Sequence, residues 1–154
     1  MDQARVRSWY EEYKQEIFRY CFYLTRDIHL SEDVLHDTFL KLLSGRFRDV
    51  GDGVKPWLYK VARNLCYDQL RRSKHESPEP LDVAPSQDSY TYIELLSVLQ
   101  EKDREIVTLK IIGNLTHKEI GSVLGISTAA AQKRYERAIA TLREQEDRDG
   151  TKTI

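Results

Sequence analysis

The stretch that most restricts the fold of this chain is THKEIGSVLGIS, which begins at Thr116. Thr116 and Glu119 have the spacing of a capping box, in which each side chain accepts a hydrogen bond from the other residue's backbone N–H. Gly125 is suited to end that helix because glycine readily adopts the left-handed conformation, and Ser127 can cap a second helix. The pattern predicts a helix-turn-helix, whose second helix normally enters the major groove of DNA.

The second helix of this motif has two chemically different faces. A helical projection places one set of apolar residues inward: Ala131, Tyr135, Ala138, Ile139 and Leu142. The opposite face carries the predicted contacts to duplex DNA: Ala130, Lys133, Arg134 and Arg137. A merely solvated helix face could have the same composition, but its coincidence with the capping box and the turn favours DNA contact. The net charge of the chain is only -1, so DNA binding would depend on the local concentration of basic groups.

The rest of the chain also has helical periodicity, and no segment alternates like a strand. Ser31 is predicted to cap one helix, and Pro56 suits the first turn of another. The fold class is therefore all-α, with two small helical domains joined by a flexible linker. The predicted boundaries are a first domain at 1–72, an acidic linker containing prolines at 73–89, a second domain at 90–144 and a disordered tail at 145–154.

A second basic face lies on the last helix before the linker. It carries Lys60, Arg63, Asn64, Tyr67 and Arg71. Basic, amide and aromatic groups together suit a single strand or a melting duplex. The preceding loop SGRFRDVGDGVK could form a pocket for an extruded base or be an ordinary connector. An acidic face with Glu32, Asp33, Asp37 and Lys41 is either solvated or docks a basic protein.

Several other classes of protein have no support in the sequence. Cys21 and Cys66 are the only cysteines and are expected to pack as small hydrophobes. The histidines are scattered, so no metal and no cofactor are predicted. The chain shows no nucleophile–base pair or phosphate loop, which argues against an enzyme. No apolar run approaches the roughly 18 residues of a membrane span, and no secretory signal is visible, so a cytoplasmic location is expected.

Three motifs together resemble bacterial extracytoplasmic-function (ECF) sigma factors. They are SEDVLHDTFLKLL, KPWLYKVARNLCYDQLRR and DREIVTLKIIGNLTHKEIGSVLGIS, the last continuing to KRYERAIATLRE. The similarity covers nearly the whole chain outside the linker and the tail. It implies a promoter-specificity subunit of RNA polymerase that is monomeric when free. The implied partners are core polymerase, through its clamp coiled coil and flap, promoter DNA and an anti-sigma factor.

The resemblance also implies roles for particular residues. The helix that binds the clamp corresponds to Asp33, His36, Asp37 and Lys41. The part that opens and captures the minus-10 element corresponds to Phe47, Arg48, Arg63, Asn64 and Asp68. The helix that reads the minus-35 element corresponds to Lys133, Arg134 and Arg137. The linker resembles the segment that threads the polymerase channels.

The sequence departs from the family pattern at three places. His36 replaces a common glutamine, and the run from Ala129 to Gln132 replaces a more usual Gly-Thr-Val-Lys. Gly121 replaces a usual alanine, which predicts a looser helix because glycine costs about 1 kcal/mol there. The alternative function is a dimeric helix-turn-helix regulator that acts on operator DNA without polymerase. It would need a self-complementary interface, and no heptad pattern is visible.

Overall fold

A computed structural model describes residues 2–48, 53–73 and 87–149. Its helices are α1 (Gln3–Thr25), α2 (Ile28–Leu43), α3 (Val54–Ser73), α4 (Gln87–Leu96), α5 (Glu101–Ile111), α6 (His117–Leu124) and α7 (Thr128–Asp149). The described residues contain no strand, so the all-α prediction is confirmed. No helix among them is long and apolar enough to cross a membrane.

The helices form two units that touch each other. In the first unit, α1 packs against α2 and α3, and α2 packs against α3. In the second unit, α5 packs against α6 and α7, and α6 packs against α7; α4 precedes them in the chain. The two units meet where α3 contacts α6 and α1 contacts α5. A single apolar cluster therefore runs through both, with Leu58 and Ala62 from the first unit and Ile106 and Ile120 from the second.

The start of α2 differs from the prediction. The N-cap is Asp27, whose carboxylate accepts the backbone N–H of Leu30 at 3.0 Å. Ser31 lies inside the helix, is fully buried and donates its hydroxyl to the Asp27 carbonyl at 2.7 Å. The prediction that Ser31 caps the helix is wrong because an equally good capping residue lies one turn earlier.

Two predicted irregular segments are partly helical. Helix α4 begins at Gln87, inside the stretch predicted as linker, because Pro85 is the last proline that could interrupt a helix there. Helix α7 continues to Asp149, so the part of the predicted disordered tail up to that residue is helical. The run LREQEDRD has no glycine or proline and is rich in good helix formers. Residues 74–86 and 150–154 lie outside the described part of the chain.

Candidate nucleic-acid interface

The helix-turn-helix forms through the local contacts that its sequence predicts. Thr116 Oγ1 accepts the backbone N–H of Glu119 at 3.1 Å, and Glu119 Oε1 accepts the backbone N–H of Thr116 at 2.9 Å. Gly125 ends α6 in the left-handed conformation, with φ of 70°. Ser127 Oγ then accepts the backbone N–H of Ala130 at 3.0 Å in the first turn of α7. The direction of α7 relative to α6 is thus set by hydrogen bonds at both ends of the turn.

Gly121 has a packing role that its helix propensity does not reveal. A Cβ atom at this buried position would lie 2.6 Å from the carbonyl oxygen of Ile126, in the turn. That distance is closer than real Cβ contacts allow, so the glycine permits the turn to approach α6. The Gly121 carbonyl also accepts the backbone N–H of Ile126 at 2.9 Å. The predicted loosening of α6 is therefore opposed by a close approach to the turn that only glycine allows without a shift.

Helix α7 separates its inward and outward residues as expected. Ala131 and Ala138 are fully buried, and Tyr135 and Leu142 pack against the core. We call the opposite surface the α7 face; it consists of Ala130, Lys133, Arg134 and Arg137. Within it the lysine and Arg137 are exposed, whereas Ala130 and Arg134 are half-buried. The α7 face therefore exposes the cations of Lys133 and Arg137 to solvent, next to Ala130 and the half-buried Arg134.

Arg137 has an acidic partner that the sequence analysis did not identify. Its Nη2 donates to Asp103 Oδ1 of α5 at 2.7 Å. The Arg137 side chain is 63% exposed, whereas the Asp103 side chain is 8% exposed. The hydrogen bond and the charge of Asp103 raise the pKa of Arg137. One cation of the α7 face is thus oriented by a carboxylate of its own unit.

The basic residues of α3 also share one surface, which we call the α3 face: Lys60, Arg63, Asn64, Tyr67 and Arg71. The first, third and last are exposed, but Arg63 and Tyr67 are half-buried. The guanidinium of Arg63 lies 4.9 Å from the centre of the Tyr67 ring, a cation–π distance. The exposed Arg71 donates to Asp68 at 3.3 Å. The structure therefore divides this face into an open part and an occupied part.

Glu105 of α5 contacts the occupied part of the α3 face, which consists of Arg63 and Tyr67. Its Oε1 accepts a hydrogen bond from Arg63 Nε, and the two side chains form an ion pair. Its Oε2 lies 3.4 Å from Arg63 Nη2. The hydroxyls of Tyr67 and Tyr20 donate to the same carboxylate at 3.1 and 3.2 Å. Burial lowers the pKa of Arg63, but Glu105 raises it, and the net change is upward. Burial first and then the charge of Glu105 raise the pKa of Tyr67.

Comparison with known proteins matches each of the two units to a protein family. Residues 9–76 match the family model described as Sigma-70 region 2, and residues 91–142 match Sigma-70, region 4. The ECF RNA polymerase sigma factor SigM of Bacillus subtilis is 31% identical over 133 residues, covering 78% of this chain and 82% of SigM. The RNA polymerase sigma factor CarQ of Myxococcus xanthus is 34% identical over 134 residues, covering 79% of this chain and 77% of CarQ. The chain belongs to the ECF sigma factor family.

Solved structures of sigma factors share the fold. CnrH, in complex with the cytosolic domain of CnrY, aligns with a TM-score of 0.74 and 22% identity, over 96% of this chain and 91% of CnrH. RpoE of Bartonella quintana, in complex with the anti-sigma factor NepR, aligns with a TM-score of 0.67 and 22% identity. That alignment covers 89% of this chain and 95% of RpoE. At this identity the likeness concerns the fold, and it extends across both units.

The acidic surface of this sigma factor lies on α2. Asp33, His36 and Asp37 are exposed, and Lys41 is half-buried. Beside them Leu40 is 59% exposed and Leu43 is 43% exposed. A groove next to these leucines is lined from the other side by Val6 and Tyr10 of α1, among others. The predicted polymerase-binding residues thus border an exposed apolar strip that the sequence analysis did not include.

Phe47 lies in an aromatic cluster. Its ring centre is 6.0 Å from that of Trp9 and 5.6 Å from that of Trp57, and both contacts are edge-to-face. Arg48 beside it is exposed. Residues 49–52 of the predicted pocket loop lie outside the described part of the chain. The cluster fixes the start of that loop against α1 and α3.

The two cysteines are buried and free, and they lie next to each other. A hydrogen bond with Cys66, together with burial, raises the pKa of the Cys21 thiol. This packing agrees with the predicted structural role. Within 2–48, 53–73 and 87–149, no group of three or more His, Cys, Asp or Glu residues could hold a metal ion.

Proposed function

We propose that this sigma factor binds core RNA polymerase and directs it to promoters that carry a minus-10 and a minus-35 element. The α7 face would read the minus-35 duplex through Lys133, Arg134 and Arg137, with Ala130 allowing close approach. The α3 face, with Phe47 and Arg48, would help to melt the minus-10 element and hold the separated strand. The main support is the basic face on the second helix of a helix-turn-helix whose capping hydrogen bonds are formed at the start of both helices.

The α2 surface is the proposed contact to polymerase. Asp33, His36, Asp37 and Lys41 would bind the clamp coiled coil, while the second unit would bind the flap. Exposed carboxylates suit a basic partner, and the neighbouring Leu40 and Leu43 would add apolar contact. The predicted linker would thread the polymerase channels. Because polymerase and promoter DNA are cytoplasmic in bacteria, we place the chain in the cytoplasm.

Polymerase is needed in this proposal because each basic face is small. A face that neutralises about four phosphates gives a non-specific dissociation constant of roughly 10⁻⁴ to 10⁻⁶ M at physiological salt. When a large scaffold holds both faces on the same promoter, the second contact forms at high effective concentration. A chain that is monomeric when free can then select promoters. No catalytic role is proposed.

An anti-sigma factor is the proposed regulatory partner. CnrH and RpoE, which share the fold, were solved in complex with the cytosolic domain of CnrY and with the anti-sigma factor NepR. We extend that kind of partner to this chain as a proposal. The dimeric operator-binding regulator is not proposed, because the related proteins found are sigma factors.

Transcription by purified core polymerase on a library of random upstream sequences tests the function. We expect selective initiation only when the chain is added, with a shared motif among the selected sequences. Arg134→Ala should weaken promoter recognition and leave polymerase binding intact, whereas Asp33→Ala combined with Asp37→Ala should do the reverse. Sharp sequence-specific binding in a gel shift without polymerase, and no initiation with it, would instead identify an operator-binding regulator.

A further inference from the structure

Asp103 is a nearly buried carboxylate that contacts the α7 face. Its side chain is 8% exposed, and its Oδ1 accepts a hydrogen bond from Arg137 Nη2 at 2.7 Å. It lies in the first turn of α5, where the helix dipole favours a negative charge. That helix packs against α7 and is anchored by the fully buried Ile106 and Leu109. The packing therefore gives the carboxylate a fixed place relative to α7.

The contact restrains a long side chain that otherwise lies in solvent. Arg137 is 63% exposed, and an exposed arginine has many rotamers available to it. The hydrogen bond is charge-assisted and therefore strong, and it joins residues 34 positions apart on two different helices. An arginine carries several N–H donors in a rigid fork. The contact with Asp103 thus holds the guanidinium in place and still leaves donors for a second partner.

Arg137 differs in this respect from the other two cations of the α7 face. In the part of the chain that the structure describes, the side chains of Lys133 and Arg134 form no hydrogen bond or ion pair. Arg137 also lies well inside α7, which begins at Thr128. In a helix-turn-helix the first residues of the second helix contact the base edges. A restrained arginine further along the helix suits the phosphate backbone, whose contacts set register and orientation.

We propose that Asp103 is a positioning residue for recognition of the minus-35 element. It holds the Arg137 guanidinium at one place, so that Arg137 makes a fixed contact to one phosphate group and sets the register of α7 in the major groove. Lys133 and Arg134 then meet the same bases in every complex. This inference rests on the proposed reading of the minus-35 element by the α7 face. Asp103 acts only through Arg137 and does not touch DNA.

Asp103 has two opposite effects on DNA binding. Its negative charge weakens the attraction of the α7 face to the phosphates of any duplex. Its restraint of Arg137 removes the entropic cost of ordering that side chain on binding, which corresponds to about two- to tenfold in affinity. The gain is obtained only in the register that places a phosphate at the fixed guanidinium. The carboxylate therefore increases selectivity between sequences rather than affinity for DNA in general.

Asp103→Asn tests this role because it removes the charge while nearly preserving the shape. The probe is a promoter library with randomised upstream positions, transcribed by the polymerase complex of each variant and read by sequencing. We expect the preference for the selected minus-35 bases to fall about two- to tenfold. The affinity of the free chain for random-sequence duplex, measured by fluorescence anisotropy, should not fall. Glu101→Gln is the matched control: it neutralises an exposed carboxylate in the same turn of α5 and should leave the base preference unchanged.

Asp103→Glu separates the position of the carboxylate from its charge. It keeps the negative charge but moves it by one methylene group, so the base preference should fall while the affinity for random-sequence duplex stays the same. Circular dichroism checks that each variant is folded. If Asp103→Asn does not fold, Asp103→Glu decides the question. Equal changes in the affinities for selected and random sequences would show a purely electrostatic role and overturn the proposal.

A double-mutant cycle distinguishes positioning from a general contribution to the fold. Arg137→Ala should lower the base preference, and adding Asp103→Asn to it should lower the preference no further, because the two residues act as a unit. A further loss in the double variant would show that Asp103 acts independently of Arg137, which contradicts positioning.

The outcome can be separated from that of the proposed function. Failure of the wild-type chain to support initiation would overturn the proposed function. If the wild-type chain initiates with a clear minus-35 preference and the folded Asp103 variants keep that preference, the proposed function stands and the positioning role is overturned.

Discussion

The α7 face and the α3 face have similar compositions but different availability. On the α7 face, Lys133 is exposed, and Arg137 keeps 63% of its side chain exposed while it contacts Asp103. On the α3 face, Arg63 is 28% exposed and is held by a carboxylate from the other unit. The difference teaches that acidic partners, and not composition alone, decide which basic groups of a helix remain accessible to solvent.

Both acidic partners come from α5. Asp103 and Glu105 are two residues apart, and residues at this spacing do not face each other on a helix. Asp103 is directed to α7 within its own unit, and Glu105 is directed to α3 of the other unit. One helix thus orients a cation on the α7 face and occupies Arg63 and Tyr67 of the α3 face. The two faces are structurally linked through it.

The largest effect on stability is expected from a substitution that weakens the packing of α5, the helix that supplies the acidic partner of each face. Ile106 of α5 is fully buried in the core. Ile106→Ala should lower the free energy of unfolding by about 2–5 kcal/mol, because it deletes buried methyl groups and leaves a cavity. Urea denaturation followed by circular dichroism measures this loss. Duplex binding by the α7 face should weaken in this variant, because α7 packs against α5.

The matched control is Ile111→Ala, on the same helix at a residue that is 54% exposed. Its unfolding free energy should change by no more than about 0.5 kcal/mol. Equal losses in the two variants would show that α5 is not anchored through Ile106. In that case the packing of α5 through Ile106 would not be what links the two faces.

The salt dependence of DNA affinity compares the two faces directly when one exposed lysine of each face is replaced. In the free chain, Lys133→Ala should reduce the slope of log affinity against log salt for duplex DNA by about 0.9, the loss of one phosphate contact. Lys60→Ala should reduce it less, because Arg63 and Tyr67 beside it are occupied by Glu105. Binding titrations at several salt concentrations give both slopes. A larger reduction for Lys60→Ala would reverse the proposed order of availability.

The smallest effect is expected at an exposed ion pair of the α3 face. Arg71 and Asp68 are 72% and 41% exposed, at 3.3 Å. Arg71→Ala should change the unfolding free energy by no more than about 0.5 kcal/mol, because solvent screens such pairs and their side chains lose entropy on pairing. The midpoint of urea denaturation reports this change. A loss above about 1 kcal/mol in the free energy of unfolding would mean that the exposed part of the α3 face also contributes to stability.

Local sequence patterns predicted the helix-turn-helix in detail. The capping box at Thr116 and Glu119, the left-handed Gly125 and the Ser127 cap all form. These contacts join residues three or four apart, so propensity and side-chain chemistry are sufficient to predict them. The buried side of α7 followed from helical periodicity for the same reason.

Predictions failed where competing contacts decided the outcome. Ser31 could cap a helix, but Asp27 does so one turn earlier. Gly121 looked unfavourable by propensity, yet the turn packs against it. The pairing of Asp103 and Glu105 with arginines could not be read from EKDREIV, because that stretch has the charge pattern of any solvated helix start. Its only signal was two acidic residues in a helix that must also pack.

The sequence by itself determined the all-α fold class, the helix-turn-helix, the two basic faces and the family, because short-range hydrogen bonds and helical periodicity depend on residues close together in the chain. Only the tertiary structure decided which basic groups are accessible. Glu105 meets Arg63 across 42 positions of the chain and Tyr20 across 85. Such ion pairs depend on how α5 packs between the units, and the burial that strengthens them does not exist until that packing has formed.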